Sequence, residues 1–194
     1  MNRRRREAKI PILLALAAAA LAWAASPAAA STFVAVTTED LVRTSASIVE
    51  GEVLAVQSRW TADGRIIVTD ATVRVSSTLA GEAAPVVRVK TFGGTVGGFT
   101  VEAHGFPTFR AGERVLLFLE PDTEAGRLRV NGYQQGHYRV VGGPGAETAL
   151  STVDDGARLI AAPGARAESL RALPLTELRQ RIRAEVQRLQ ALER

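Results

Sequence analysis

The sequence predicts a mainly β fold: a small antiparallel barrel of five to six strands, OB-like in type, with a short N-terminal helix and a C-terminal amphipathic helix. Three observations predict it. Short runs of alternating or solidly apolar residues recur at regular spacing between Ile48 and Val141. Glycine-bearing turns separate them, and that spacing is the pattern of a barrel or sandwich. Helical periodicity is confined to the two ends.

The elements follow in order. Thr37-Thr38-Glu39-Asp40 offers a hydroxyl N-cap and two acids for a first turn, so a short helix should run to about Ser45. From Ile48 the period changes to two, and a valine-rich strand reaches Gln57. Asp63-Gly64 is a tight-turn signal before the next strand. There Ile67, Thr69, Ala71, Val73 and Val75 share one face, opposite Asp70, Thr72 and Arg74. Ala80-Gly81 breaks that strand, and Val86–Phe92 forms a third. Val115-Leu116-Leu117-Phe118-Leu119 is apolar on both faces, which predicts a central, fully buried strand. Leu128–Tyr133 and His137–Val141 complete the barrel around Gln134-Gln135-Gly136.

Four segments result: 1–30 as a signal peptide, 31–145 as the barrel, 146–173 as hairpin and linker, and 174–194 as the closing helix. In the third, Asp154-Asp155-Gly156 could turn a hairpin joining Leu150–Val153 to Ala157–Ile160. In the fourth, Leu175, Leu178, Ile182, Val186, Leu189 and Leu192 fall within an arc of roughly 120° at helical spacing. Glu185 intrudes on that arc. Packing on the barrel is the expected use of this face, with Arg179, Arg181, Arg183 and Arg188 solvated. Leu175, Ile182 and Leu189 also take heptad position a, so Leu175–Leu192 is a candidate seam for an oligomer.

The first segment sets the expected location. Arg3-Arg4-Arg5-Arg6, an uncharged apolar run from Ile10 to Ala25, and Ala28-Ala29-Ala30 follow the order of a cleavable signal. The apolar run is shorter than the about 20 residues of a spanning helix. The expectation is a secreted or periplasmic protein cleaved after Ala30, with no stable membrane insertion. Residues 1–30 carry five of the 24 basic and one of the 20 acidic side chains, which leaves 19 of each beyond. A neutral mature chain argues against nucleic-acid binding. The chain has no cysteine, hence no disulfide, no lipid-anchoring cysteine and no thiol nucleophile.

The search for chemistry yields a loop rather than a catalytic set. Gly93-Gly94-Thr95-Val96-Gly97-Gly98 lacks the lysine and following helix of a phosphate loop. Phe92, Phe99, Phe106 and Phe109 flank its glycines, so it could grip a partner, or its rings could fold back over the barrel end. The candidate partner-binding residues are Phe92, Gly93, Gly94, Gly97, Gly98, Phe99, His104 and Phe106. Glu102, His104 and His137 are the only approach to a metal site, and two histidines without cysteine are too few for a recognisable ligand set. No nucleophile elbow occurs. Asp154 and Asp155 suit a turn, and Glu50 and Glu52 should lie on a solvated strand face. No catalytic residue, metal or cofactor is expected, and the chain reads as a non-enzyme.

Several stretches also carry a family resemblance: Ala46–Val53, Ala71–Val75 with Leu79-Ala80-Gly81, Val86–Thr91, and Phe109–Leu119. Across roughly residues 41–141 the chain resembles small exported bacterial proteins with OB-like barrels. More distantly it is similar to netrin-type modules such as tissue inhibitors of metalloproteinases. Those inhibitors reach a metal through an N-terminal cysteine, which this chain lacks. The resemblance implies a binding or accessory role toward an exported protein partner, with a secreted peptidase as one class. The alternative is a self-assembling structural or envelope-associated protein; a metal-dependent enzyme ranks below both.

Overall fold

A computed structural model describes residues 32–153, 158–160, 172–192 and 194. Residues 1–30, expected as a signal, 161–171 of the expected linker, and Asp154-Asp155-Gly156, expected as a turn, lie outside the described residues. The elements are β1 (Thr32–Val34), α1 (Thr38–Thr44), β2 (Ser47–Trp60), β3 (Ile67–Gly81), β4 (Val86–Phe92), β5 (Gly94–Val96), β6 (Phe99–Val101), β7 (Arg114–Pro121), β8 (Leu128–Val130), a 3₁₀ turn (Tyr133–Gly136), β9 (His137–Val141), β10 (Thr148–Ser151), β11 (Arg158–Ile160), β12 (Ala172–Pro174) and α2 (Leu175–Leu192).

Five strands close a barrel in the order β2-β3-β4-β8-β7 and back to β2. Only the β4–β8 contact is parallel; the other four are antiparallel. This is the order of an OB-type barrel, and closure leaves no unpaired edge within the ring. Its interior is filled by the inward residues of each strand, among them Val49, Val53, Ala71, Val73, Val87, Val89, Leu117 and Leu119.

β7 explains the rest of the molecule. Val115, Leu117 and Leu119 point into the barrel, while Leu116 and Phe118 point out under a second core. One edge of β7 pairs with β2. The other is shared, by β9 at Val115–Leu117 and β8 at Leu119–Pro121. β9 continues outward through β10 to β12, and the two helices cover this extension. Leu41 and Val42 of α1 and Leu175, Leu178 and Ile182 of α2 are buried there with Tyr138 and Val140. α1 starts as expected, with Thr37 Oγ1 accepting from the Asp40 amide at 3.1 Å. Residues 31–194 cluster as one compact unit.

The expected hairpin from Leu150 to Ile160 does not form. β10 pairs with β9 and β12, while β11 lies parallel to β1. Local turn chemistry pointed forward along the chain, whereas β10 pairs back with the preceding strand β9 and β11 with the distant β1. The solvated reading of Glu50 is also corrected. Its carboxylate is buried and accepts two hydrogen bonds from Arg179 of α2, Nε to Oε1 and Nη2 to Oε2, both at 2.6 Å. Arg179 therefore ties α2 to the barrel rather than lying on the helix's open face. Glu185 is buried too, paired with Arg188.

Candidate functional site

β2 and β3 are longer than the barrel needs. A register shift at Val53/Ala55 turns the outer half of β2, so that Val56, Ser58 and Trp60 pair opposite Ala71, Thr69 and Ile67. The ribbon overhangs one end of the barrel, and the glycine-rich loop leans on it. β5 and β6 form a small hairpin with Gly97 and Gly98 at its tip, both at positive φ, as a tight two-residue turn requires.

The base of the hairpin is fixed. The Gly93 amide donates to the Ile67 carbonyl at 2.9 Å, and Thr69 Oγ1 donates to the Gly93 carbonyl at 2.6 Å. Ser58 and Thr69 hydroxyls are 2.8 Å apart. Gly94 sits directly on them: a Cβ there would come within 2.3 Å of Ser58 Oγ and 2.4 Å of Thr69 Oγ1, and φ is +126°. The close approach admits only glycine. At the far side of the loop, Thr91 Oγ1 donates to the Pro107 carbonyl at 2.8 Å.

Between hairpin and barrel end runs an open groove of about 690 Å³. Five of the eight expected residues line it: Phe92, Gly93, Gly94, His104 and Phe106. The other three do not. Gly97 and Gly98 make the hairpin tip, and Phe99, 66% exposed, meets the Trp60 ring edge-on at 6.2 Å. Phe109 took the opposite course and is buried in the barrel core. Sequence reasoning missed Val56, Trp60 and Tyr133. For the first two the register shift at Val53/Ala55 hides the signal, since unbroken alternation from Val49 and Val53 puts them on the opposite face. Tyr133 had no such signal; it is placed by the 3₁₀ turn.

Tyr133 is the one non-glycine residue at positive φ among the described residues, at 58°, a region that L-residues enter at a cost. Its half-exposed ring lies between Phe33, at 6.0 Å, and Phe106, at 5.0 Å. Phe106 in turn meets Phe92 edge-on at 4.8 Å. The Phe33 ring lies against Gly105, where a Cβ would be 1.8 Å from Phe33 Cζ.

The histidines are separated in environment. His104 is exposed at the groove, whereas His137 is fully buried against Phe109, ring centroids 4.8 Å apart. His137 Nδ1 meets Thr152 Oγ1 at 3.0 Å, and Nε2 has no partner among the described residues. Burial, with the Arg139 charge adding to it, pushes the imidazole down to about 3. Among the described residues no group of three or more His, Asp or Glu side chains could hold a metal ion. No described helix is long and apolar enough to cross a membrane. The apolar face of α2 expected as an oligomer seam is covered within the chain at Leu175, Leu178 and Ile182.

On the outer face of the barrel, charges pair rather than accumulate. Asp70 accepts from Arg127 Nε at 2.7 Å and Arg59 Nε at 2.9 Å, and Glu124 bridges both arginines. Burial raises the Asp70 carboxyl, but the two guanidinium contacts outweigh it and hold the group below its ordinary value. Lys90 is paired with Asp122 and lies 3.6 Å from Glu124. Compared with known proteins, the chain matches no family model and no curated sequence.

Proposed function

We propose that this chain is an exported, non-catalytic binding module that captures an extended segment of a protein partner, a secreted peptidase being one such partner. One observation carries the reading. Val56, Phe92 and Val101 are large, apolar, exposed and line one groove at one end of the barrel, and the exposed Trp60–Phe99 ring pair stands on the hairpin and ribbon outside its lining. Contiguous exposed apolar side chains of this size mark interaction surfaces, and rings such as Trp60 and Phe99 are the usual anchors. Burying each ring on binding is worth about 1.5–3 kcal/mol.

The segment class follows from the hairpin. β6 pairs with β5 alone among the described residues, so its outer edge can accept an added strand. Alternate side chains of that strand would face the groove. The fixed base at Gly93 and Gly94 holds the edge in place before binding, which lowers the ordering cost. The balanced charge of residues 31–194, the missing nucleophile set and the barrel-family resemblance all favour a binding role.

The test places a photo-crosslinking residue at Thr100 of β6 and exposes the protein to its native extracytoplasmic fraction. The expected result is a reproducible adduct with one segment of one protein, lost when Phe99→Ser is added. Scattered adducts, or an adduct indifferent to Phe99→Ser, would overturn the proposal. Phe99 is exposed, so its replacement should leave the melting temperature unchanged.

A further inference from the structure

Behind the groove lies a second, more enclosed cavity of about 320 Å³. The Phe92–Phe106 pair stands between the two, contributing to both walls. The Tyr133 ring forms another wall of the inner cavity. Two ion pairs supply the polar part: Lys90 with Asp122, and Arg129 with Glu120 at 2.9 Å. The first is the deeper one, with side chains only 12% and 6% exposed, so it marks the closed end.

That pair is incompletely used. Among the described residues, all three hydrogen bonds to Asp122 end on Oδ1, from Lys90 Nζ, Thr123 Oγ1 and the Glu124 amide. Asp122 Oδ2 keeps its acceptor capacity. Lys90 Nζ carries three protons and is directed at two partners, Asp122 and Glu124. The closed end therefore offers one acceptor and one donor side by side, under a roof of aromatic faces and edges.

We infer that the inner cavity is a binding site for a phenolic ring, its hydroxyl donating to Asp122 Oδ2 and accepting from Lys90 Nζ. Phe92, Phe106 and Tyr133 are already joined edge-to-face, and a fourth ring extends the same packing. A cation is disfavoured because both carboxylates are already matched by Lys90 and Arg129. A bare phenyl ring fills the space but seals a carboxylate oxygen and an ammonium proton from solvent without partners, which costs affinity. A hydroxyl satisfies both at once. The strained backbone at Tyr133 fits the same assignment: an unfavourable conformation holds a ring over the cavity mouth.

This inference goes beyond the docking reading, because the groove and the cavity lie on opposite sides of Phe92–Phe106 and can be tested apart. The probes are N-acetyl-tyrosinamide, N-acetyl-phenylalaninamide and p-cresol, titrated against the protein while amide chemical shifts are followed. The expected result is saturable millimolar binding of N-acetyl-tyrosinamide that moves Lys90, Asn131 and Gly132. The phenylalanine analogue should bind about tenfold more weakly. Tyr133→Gly should abolish the response with the fold intact, and Phe99→Ser should leave it unchanged. If p-cresol binds as tightly as the tyrosine amide, the site reads a free phenol; if more weakly, a tyrosine side chain. Equal binding of the phenylalanine analogue, no saturation, or an unaltered response in Tyr133→Gly would overturn the inference.

Discussion

Tyr133 separates stability from binding in a single side chain. Its left-handed backbone costs about 1–2 kcal/mol, and its ring contacts with Phe33 and Phe106 return about 0.5–1.5 kcal/mol each. Glycine relieves the first and forfeits the second. Tyr133→Gly is therefore expected to melt within a few degrees of the parent, as read by circular dichroism. His137 behaves in the opposite way, because its environment is a liability in acid. Its ordinary value of 6.5 falls to about 3 in the fold, so between those limits the unfolded chain binds a proton that the folded chain refuses. Stability must then decline as pH falls below 6.5, by about 1.4 kcal/mol per pH unit. The carboxylates held below their ordinary values, Asp70, Asp122, Glu124 and Glu147, add their own loss only nearer pH 4. Unfolding free energies from urea titrations at pH 6.5 and pH 5 should thus differ by about 2 kcal/mol, and His137→Asn should flatten that difference. The importance of His137 was not legible in the sequence, where a lone histidine among strand residues carries no mark of burial.

Among the elements, β3, β4, β7 and β9 were readable because their apolar residues alternate or run unbroken. The outer half of β2 was not, because the shift at Val53/Ala55 changes which residues face inward. A period-two reading carried through a bulge assigns Val56 and Trp60 to the wrong side. The glycine loop was legible as a ligand-gripping candidate, and its anchorage was not, since that depends on Ser58 and Thr69 from other strands. α2 shows the same division. Its apolar stripe was plain, yet the contact that orients it is ionic. Glu50 and Arg179, 129 positions apart, form a two-bond fork at the helix–barrel seam. Glu50→Gln leaves the guanidinium short of its counter-charge in a largely buried site. The expected cost is about 2–3 kcal/mol in denaturant unfolding, with most of it recovered in the double variant Glu50→Gln/Arg179→Met.

At the scale of the whole molecule there are two cores, with β7 and the start of β2 shared between them. The barrel core and the helix-covered core meet chiefly across β7, whose residues Val115–Leu119 are buried on both sides, and beside it across the start of β2, where Ile48 faces one core and Val49 the other. Neither core can be dissolved without exposing half of β7. Unfolding is therefore expected as a single transition, with far-ultraviolet circular dichroism and the fluorescence of Trp60, the only tryptophan beyond residue 30, tracing the same midpoint in urea. A chain ending at Gly145 should fail this test, because removing α2 uncovers Leu116 and Phe118. The joining of these parts was the least legible property of all. The β2–β7 and β4–β8 pairings that close the barrel, and the β1–β11 contact, join residues far apart in sequence, and local periodicity is silent about such partners.

The position of β7 also dictates an order of assembly. Emerging from its N-terminal end, the chain produces α1, β2, β3 and β4 long before Arg114 appears, and none of them can bury both of its apolar surfaces alone. Everything before Arg114 must therefore wait as an open, sticky ribbon, and each loop between β2 and β7 adds to the entropy lost when they finally meet. Refolding should be slow for a domain of this size, with its rate set by the meeting of Ser47–Glu52 with Arg114–Leu119. Until Arg114–Leu119 arrives, the edge of β2 that it will cover is open to any other strand that reaches it first.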